Sequence, residues 1–266
     1  MTDNVVLEAR GLVKDFGRRA DRWFGRTGTF RAVDDVSFQL QRGQMTALVG
    51  QSGSGKSTVA QLLAGLQRPT AGDILLDGSP VRIRRGQDFR AYTGDVQMVL
   101  QDPFSSLNPA HTVRYHLTRA LRIHGATGRQ EAIDTEIERL LATVHLKPEG
   151  RFIGRFPHEL SGGERQRISL ARALAAKPRV LLADEPVSML DVTIRLGVLK
   201  LINQLKDERD LAVLYITHDL ATARQFTSEL MVMYEGKIVE RGTSAEVIDT
   251  PTHPYTQQLL AAIPHP

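Results

Sequence analysis

GQSGSGKS, Gly50 to Ser57, lies between an apolar run, MTALV (Met45 to Val49), and a stretch with helical spacing, TVAQLLAGL, and few folds accommodate that order. A GxxxxGK[ST] turn after a strand and before a helix lets backbone N–H groups converge on phosphate oxygens. The helix start adds the positive end of its dipole. Gly50, Gln51, Ser52, Gly53, Ser54, Gly55, Lys56, Ser57 and Thr58 are the candidate contacts. Among them, Lys56 would neutralise β- and γ-phosphates, and the Ser57 hydroxyl would be a magnesium ligand.

Four more short apolar runs read as strands: Val96 to Leu100, Val180 to Ala183, Leu211 to Thr217 and Leu230 to Tyr234. Most lack polar alternation, as strands covered on both faces do, and helical patterns separate them, so the expected class is α/β with parallel strands. Between Gln101 and Lys177 a turn-rich loop, QDPFSSLNP, precedes helical segments, clearest in the stripe Ile133, Ile137, Leu140, Leu141 and Val144; this reads as a helical insert. Val5 to Val13 and Val33 to Leu40 read as antiparallel strands joined by an arginine-rich loop, and Glu235-Gly236 as a hairpin turn before Lys237 to Glu240.

With 266 residues the chain can bury a sizeable core, and 41% hydrophobic with 24% charged residues is an ordinary globular balance. No run of about 18 apolar residues is present to span a bilayer. MTDNVVLEAR, with an early acid and no apolar core, does not read as a secretory signal. The absence of cysteine excludes disulfides and thiolate metal sites and suits the cytoplasm. A net charge of +4 permits nucleic-acid binding without indicating it, and the basic stretches Gly17 to Arg26 and Val81 to Gln87 read as solvated loop surface; no nucleic-acid partner is expected.

VLLADEP supplies carboxylates to the phosphate site. Asp184, straight after an apolar strand, can hold magnesium directly or through water, and Glu185 can accept a proton from an attacking water. Gln101 and His218 occupy the same place on other strands, and ligands in open α/β sheets bind beyond the strands' carboxyl ends. There Gln101 could ligate magnesium and orient water, and His218 could hydrogen-bond the γ-phosphate. LSGGERQR, Leu160 to Arg167, reads as a helix start with Ser161 as N-cap and Glu164 closing a capping box. Gly162 and Gly163 sit in its first turn, each at up to about 1 kcal/mol against alanine.

Together these motifs resemble the ATP-binding cassette ATPases: GQSGSGKST is similar to their phosphate loop, Gln101 to their Q-loop, LSGGE to their signature, LLADEP to their magnesium and catalytic-base strand, Ser188 to Asp191 to their D-loop, and ITHD to their histidine switch. The resemblance implies a P-loop NTPase fold of cassette type, with a mainly parallel core sheet, an N-terminal antiparallel β subdomain and an inserted helical subdomain. The corresponding division is one domain, 1–266, made of 1–100 (β subdomain and phosphate loop), 101–177 (helical signature subdomain), 178–240 (rest of the core) and 241–266 (tail). It also implies ATP and Mg²⁺ as ligands and a head-to-tail dimer, with each nucleotide between the phosphate loop of one chain and Ser161, Gly162, Gly163 and Glu164 of the other. Asp191, readable as the N-cap of the next helix, is then also a contact across the dimer. Phe16 is the best match for an aromatic stacked on adenine, with Trp23, Phe24 and Phe30 as rivals.

LQDPFSSLNP, RFPHELSGGERQR, PVSMLDVTIR and TPTHPYTQQLLAAIP resemble the oligopeptide/dipeptide importer branch, the last most discriminatingly. His253 in that tail reads as a turn residue. The resemblance implies an ATP-hydrolysing importer subunit on the cytoplasmic face of the membrane, partnered by a second cassette, same or paralogous, by permease subunits and, indirectly, by an extracytoplasmic solute-binding protein. Two departures bear on cargo: the chain lacks the C-terminal cysteine cluster of many branch members, and Met189 replaces the more usual alanine. Oligosaccharide import and a soluble cassette acting on nucleic acid or ribosomes stand as alternatives.

Overall fold

Alternating burial sets the first strands. In a computed structural model describing residues 4–17, 29–81, 86–102, 106–125 and 129–262, β1 (Val5–Gly17) pairs antiparallel with β2 (Thr29–Gln41), both longer than the sequence pattern marks. Val36, Phe38 and Leu40 point inward while Ser37 and Gln39 are exposed, the period of two expected of a sheet wet on one side. β3 (Met45–Val49), buried at every position, leads through the phosphate loop into α1 (Lys56–Leu63). β4 (Ala71–Leu76) and β5 (Ser79–Pro80) complete an antiparallel sheet of order β2-β1-β4-β5. These elements belong to the first of two compact units, built from Met1–Ile83 and Ala212–Pro266.

The second unit is Arg84–Leu211. α2 (Gln87–Asp95) runs into β6 (Val96–Val99), and the described residues beyond it include the helices α3 (Val113–Ile123), α4 (Gln130–Thr143) and the single turn α5 (Gly150–Ile153). The apolar stripe read from the sequence is the buried face of α4, and Val144 caps its end. α6 (Gly162–Leu174) is buried on most sides, and its Arg167 donates to Val144 O at 2.9 Å, tying it to the end of α4. The guanidinium of Arg172 donates to Ser106 O, and Ser169 shares a 2.7 Å hydrogen bond with Ser106. β7 (Val180–Asp184) pairs parallel with β6 and is buried throughout, and α7 (Val192–Arg209) closes the unit.

Back in the first unit, β8 (Ala212–Thr217) lies parallel to β3 and is followed by α8 (Leu220–Phe226). β9 (Glu229–Tyr234) flanks β3 on its other side, also parallel, and turns through Glu235-Gly236 into antiparallel β10 (Lys237–Thr243). Both turn residues have positive φ, 45° and 84°, as a two-residue hairpin requires. α9 (Ser244–Asp249) and α10 (Pro254–Ala261) form the tail. His253 is its turn residue in a specific sense: it caps α10, its Nδ1 accepting from Tyr255 N at 3.2 Å.

Glu240 of β10 clamps the tail, accepting from Thr252 N at 2.6 Å, Thr252 Oγ1 at 2.8 Å and His253 N at 3.2 Å. Burial alone would push its carboxyl up, but hydrogen bonds outweigh that and hold it below the ordinary value. A lowered folded pKa stabilises fully above the ordinary carboxylate range and is lost as pH falls through the folded value. Hydrogen exchange at the Thr252 and His253 amides is therefore expected to be slow at pH 6 and to lose protection, relative to β10, as pH falls below the ordinary carboxylate range. Glu240→Ala, which removes both acceptor oxygens, removes the protection at pH 6.

Candidate functional site

In the first unit, strand register brings the phosphate loop and His218 side by side. Val49 pairs with Thr217 across β3 and β8, so Gly50 and His218 are the next residues on neighbouring parallel strands, and His218 is exposed there. Asp219 continues the turn, its carboxylate accepting from Ala221 N at 3.0 Å and Thr222 N at 3.1 Å to cap α8.

The loop takes a shape that depends on glycine. A Cβ at Gly50 would come within 2.2 Å of Met233 O; at Gly55, where φ is 108°, it would come within 2.3 Å of Ala32 O. Gly55→Ala is therefore expected to cost about 2–4 kcal/mol, from left-handed strain plus backbone overlap, measured as a shift of the urea midpoint at unchanged slope. From the hairpin, Gly236 N donates to Ser54 O at 3.0 Å. Lys56 is buried, with Nζ donating to Gly50 O at 2.7 Å and Gln51 O at 2.8 Å, while Ser57 at the start of α1 is exposed. The result is a small cradle with an ammonium at its centre and a helix N-terminus behind it, suited to a polyphosphate.

Phe16 is half-buried opposite Phe30 across β1 and β2, and Lys14 Nζ lies 5.2 Å from the centre of its ring. Phe30 is 45% exposed; Trp23 and Phe24 lie outside the described residues.

In the second unit, Val99 pairs with Ala183 across β6 and β7, which sets Gln101 and Glu185, each two residues further on, at the same level. Gln101 Nε2 donates to Glu185 Oε2 at 2.9 Å. Asp184 is buried and is the last residue of β7, which runs one residue further than the apolar run in the sequence marks. Glu185 has φ 44°, a left-handed conformation that costs a glutamate on the order of 1 kcal/mol and turns its side chain away from the strand's alternation. Its carbonyl accepts from Ser188 N and Ser188 Oγ, both at 3.2 Å, so the next turn holds the strain in place. Nothing in the sequence pattern signals it.

The capping box at α6 forms as read. Ser161 Oγ accepts from Glu164 N at 3.3 Å, and Glu164 Oε2 accepts from Ser161 N at 2.8 Å and Oγ at 2.9 Å. Burial pushes the Glu164 carboxyl up, but the Ser161 bonds and the charges of Arg151 and Arg155 hold it below its ordinary value. The glycines have an additional reason: a Cβ at Gly163 would lie 2.5 Å from Ile194 Cγ2, and one at Gly162 would lie 3.1 Å from Leu190 Cδ2. Their missing side chains admit the segment around Asp191. Asp191 is the N-cap residue of α7, yet its side chain makes no capping bond and is exposed. Beside it, Met189 and Val192 are 59% and 69% exposed, an apolar edge next to the signature.

Further along this unit, Leu107, Asn108, His111, Tyr115, His116 and Ile123 line an open groove of about 730 Å³. Burial pushes His116 below the ordinary histidine value, and its Nε2 lies 3.1 Å from Asn108 O.

A family profile described as "ABC transporter" matches residues 33–188. The chain is 42% identical to the oligopeptide transport ATP-binding protein AppF of Bacillus subtilis, over 98% of this chain and 78% of that one. It is 41% identical to the glutathione import ATP-binding protein GsiA of Salmonella typhimurium, over 97% of this chain but only 41% of that protein. Among solved structures, CbiO1 from Clostridium perfringens, part of an ABC transporter complex, superposes with TM-score 0.78 at 24% identity, covering 93% of this chain and 92% of that one. A dimeric ATP-binding cassette bound to ADP and Pi gives 0.78 at 24%, covering 90% and 98%.

Proposed function

The chain belongs to the ABC transporter family of ATPases, and from that premise we propose that it is the ATP-hydrolysing subunit of an importer whose cargo is peptide. The observation that carries the reading is the glycine-dependent phosphate cradle around Lys56; peptide as cargo rests on the likeness to peptide and glutathione import proteins. Gly50 to Thr58 bind the phosphates, and Phe16 stacks on adenine. Water attacks the γ-phosphorus in line, the new O–P bond forms as the bond to the β–γ bridging oxygen breaks, and Glu185 takes the water's proton. Gln101 orients that carboxylate, and His218 hydrogen-bonds the γ-phosphate.

Ser57, Gln101 and Asp184 are the proposed magnesium ligands. A hydroxyl, an amide oxygen and a carboxylate suit a hard cation, and the Gln101 amide fits this role because its nitrogen is turned to Glu185, which leaves the oxygen for a metal. The ion, when bound, withdraws charge from the β- and γ-phosphate oxygens.

A second cassette, identical or paralogous, supplies Ser161 to Glu164 and Asp191 to each nucleotide; the apolar edge of Met189 and Val192 supports burial against such a partner. The groove around His111 and Tyr115, downstream of Gln101, is the proposed dock for a permease segment. No helix among the described residues is long and apolar enough to cross a membrane, and attachment at the cytoplasmic face through the permease is part of the proposal. The segments 1–100, 101–177, 178–240 and 241–266 remain our functional division of the chain. Purified with its permease in nanodiscs, the complex is expected to release phosphate faster when its binding protein carries a peptide; stimulation by an oligosaccharide instead, or by nucleic acid without a permease, overturns the assignment.

A further inference from the structure

We propose that Tyr255 is a positioning residue of the nucleotide site, through which the C-terminal tail holds the phosphate loop in its binding shape. The inference rests on the ATP-binding reading of that loop. The Tyr255 hydroxyl accepts a hydrogen bond from Gln51 N at 3.0 Å, joining residues 204 apart in the chain. Gln51 is thus held at both ends: its N–H by the tail, and its carbonyl by Lys56 Nζ at 2.8 Å. Fixing both groups sets the backbone of the loop's first turn, and that turn sets where the lysine ammonium sits.

The hydroxyl can act as a fixed post because the ring behind it is buried and packed on several sides. Tyr255 is 6% exposed and packs with Ala47, Val49, Leu230 and Val232. Its ring centre lies 4.1 Å from that of Tyr234, at the hairpin whose Gly236 N–H holds Ser54 O. The Glu240 clamp and the His253 cap fix the approach to α10. Tail and hairpin therefore grip the loop at Gln51 and at Ser54 from the same unit. A buried tyrosine whose oxygen meets a backbone donor satisfies both groups, and the replacement of that oxygen by hydrogen leaves packing intact while freeing the N–H.

Tyr255→Phe in the full chain tests this, with a fluorescent ATP analogue and ADP as probes. Loss of one neutral hydrogen bond predicts a Kd about three- to tenfold higher for both nucleotides, a raised KM with kcat within about twofold, and faster hydrogen exchange at the Gln51 amide, at a melting temperature within about 2 °C of wild type. Unchanged affinity and unchanged exchange at Gln51 overturn the proposal, as does weaker binding accompanied by a general fall in stability. Failure of the wild-type chain to bind nucleotide, or full binding by Lys56→Ala, overturns the ATP reading instead.

Discussion

Glu185→Gln turns over ATP about 10²- to 10⁴-fold more slowly than wild type while binding it with unchanged affinity. The substitution removes a proton acceptor and little else. Glutamine matches glutamate in shape, its oxygen can still accept from Gln101 Nε2, and the left-handed backbone at 185 is held by the carbonyl's bonds to Ser188, which do not involve the side chain. With the proton sink gone and the phosphate cradle intact, ATP-bound dimer should accumulate. Single-turnover phosphate release and size-exclusion chromatography in ATP are the measurements. Turnover within tenfold of wild type would sink the assignment of Glu185 as the base.

Gly163→Asp should abolish hydrolysis while leaving ATP bound to the monomer. A carboxylate at the first turn of α6 sets a negative charge where the second chain's γ-phosphate is proposed to arrive. The geometry adds an effect absent from a purely electrostatic account: the new Cβ meets Ile194 Cγ2 at 2.5 Å, so the substitution also costs about 1–3 kcal/mol by overpacking. The two effects separate in a double variant. Gly163→Asp with Ile194→Ala should recover stability in urea denaturation without recovering phosphate release. If hydrolysis returns with stability, the glycine serves packing alone.

Elements whose burial is uniform were the easiest to read. β3 and β7 are apolar because both faces are covered, and the α4 stripe is apolar because one face is; composition and period report those environments directly. The level shared by Gln101 and Glu185 follows from strand ends that the apolar runs mark, though their hydrogen bond does not. The left-handed Glu185 escaped because a glutamate carries no sign of its backbone angle, unlike the glycines of the phosphate loop. Gly163 was legible as a cost but not as a fit, since its neighbour Ile194 belongs to another helix. The Tyr255 to Gln51 bond escaped for the same reason on a longer scale: a contact between residues 204 apart leaves no mark on local periodicity.

The bonds of Lys56 to its own loop bear on how fast a nucleotide can load. An exposed lysine must shed a tight shell of water before it can meet a phosphate, a cost that would fall within each encounter. Here folding has already stripped the ammonium of much of that water and given it the carbonyls of Gly50 and Gln51 instead. An arriving triphosphate asks it to swing from one set of oxygens to another, and those two carbonyls compete for the charge again when the phosphate leaves.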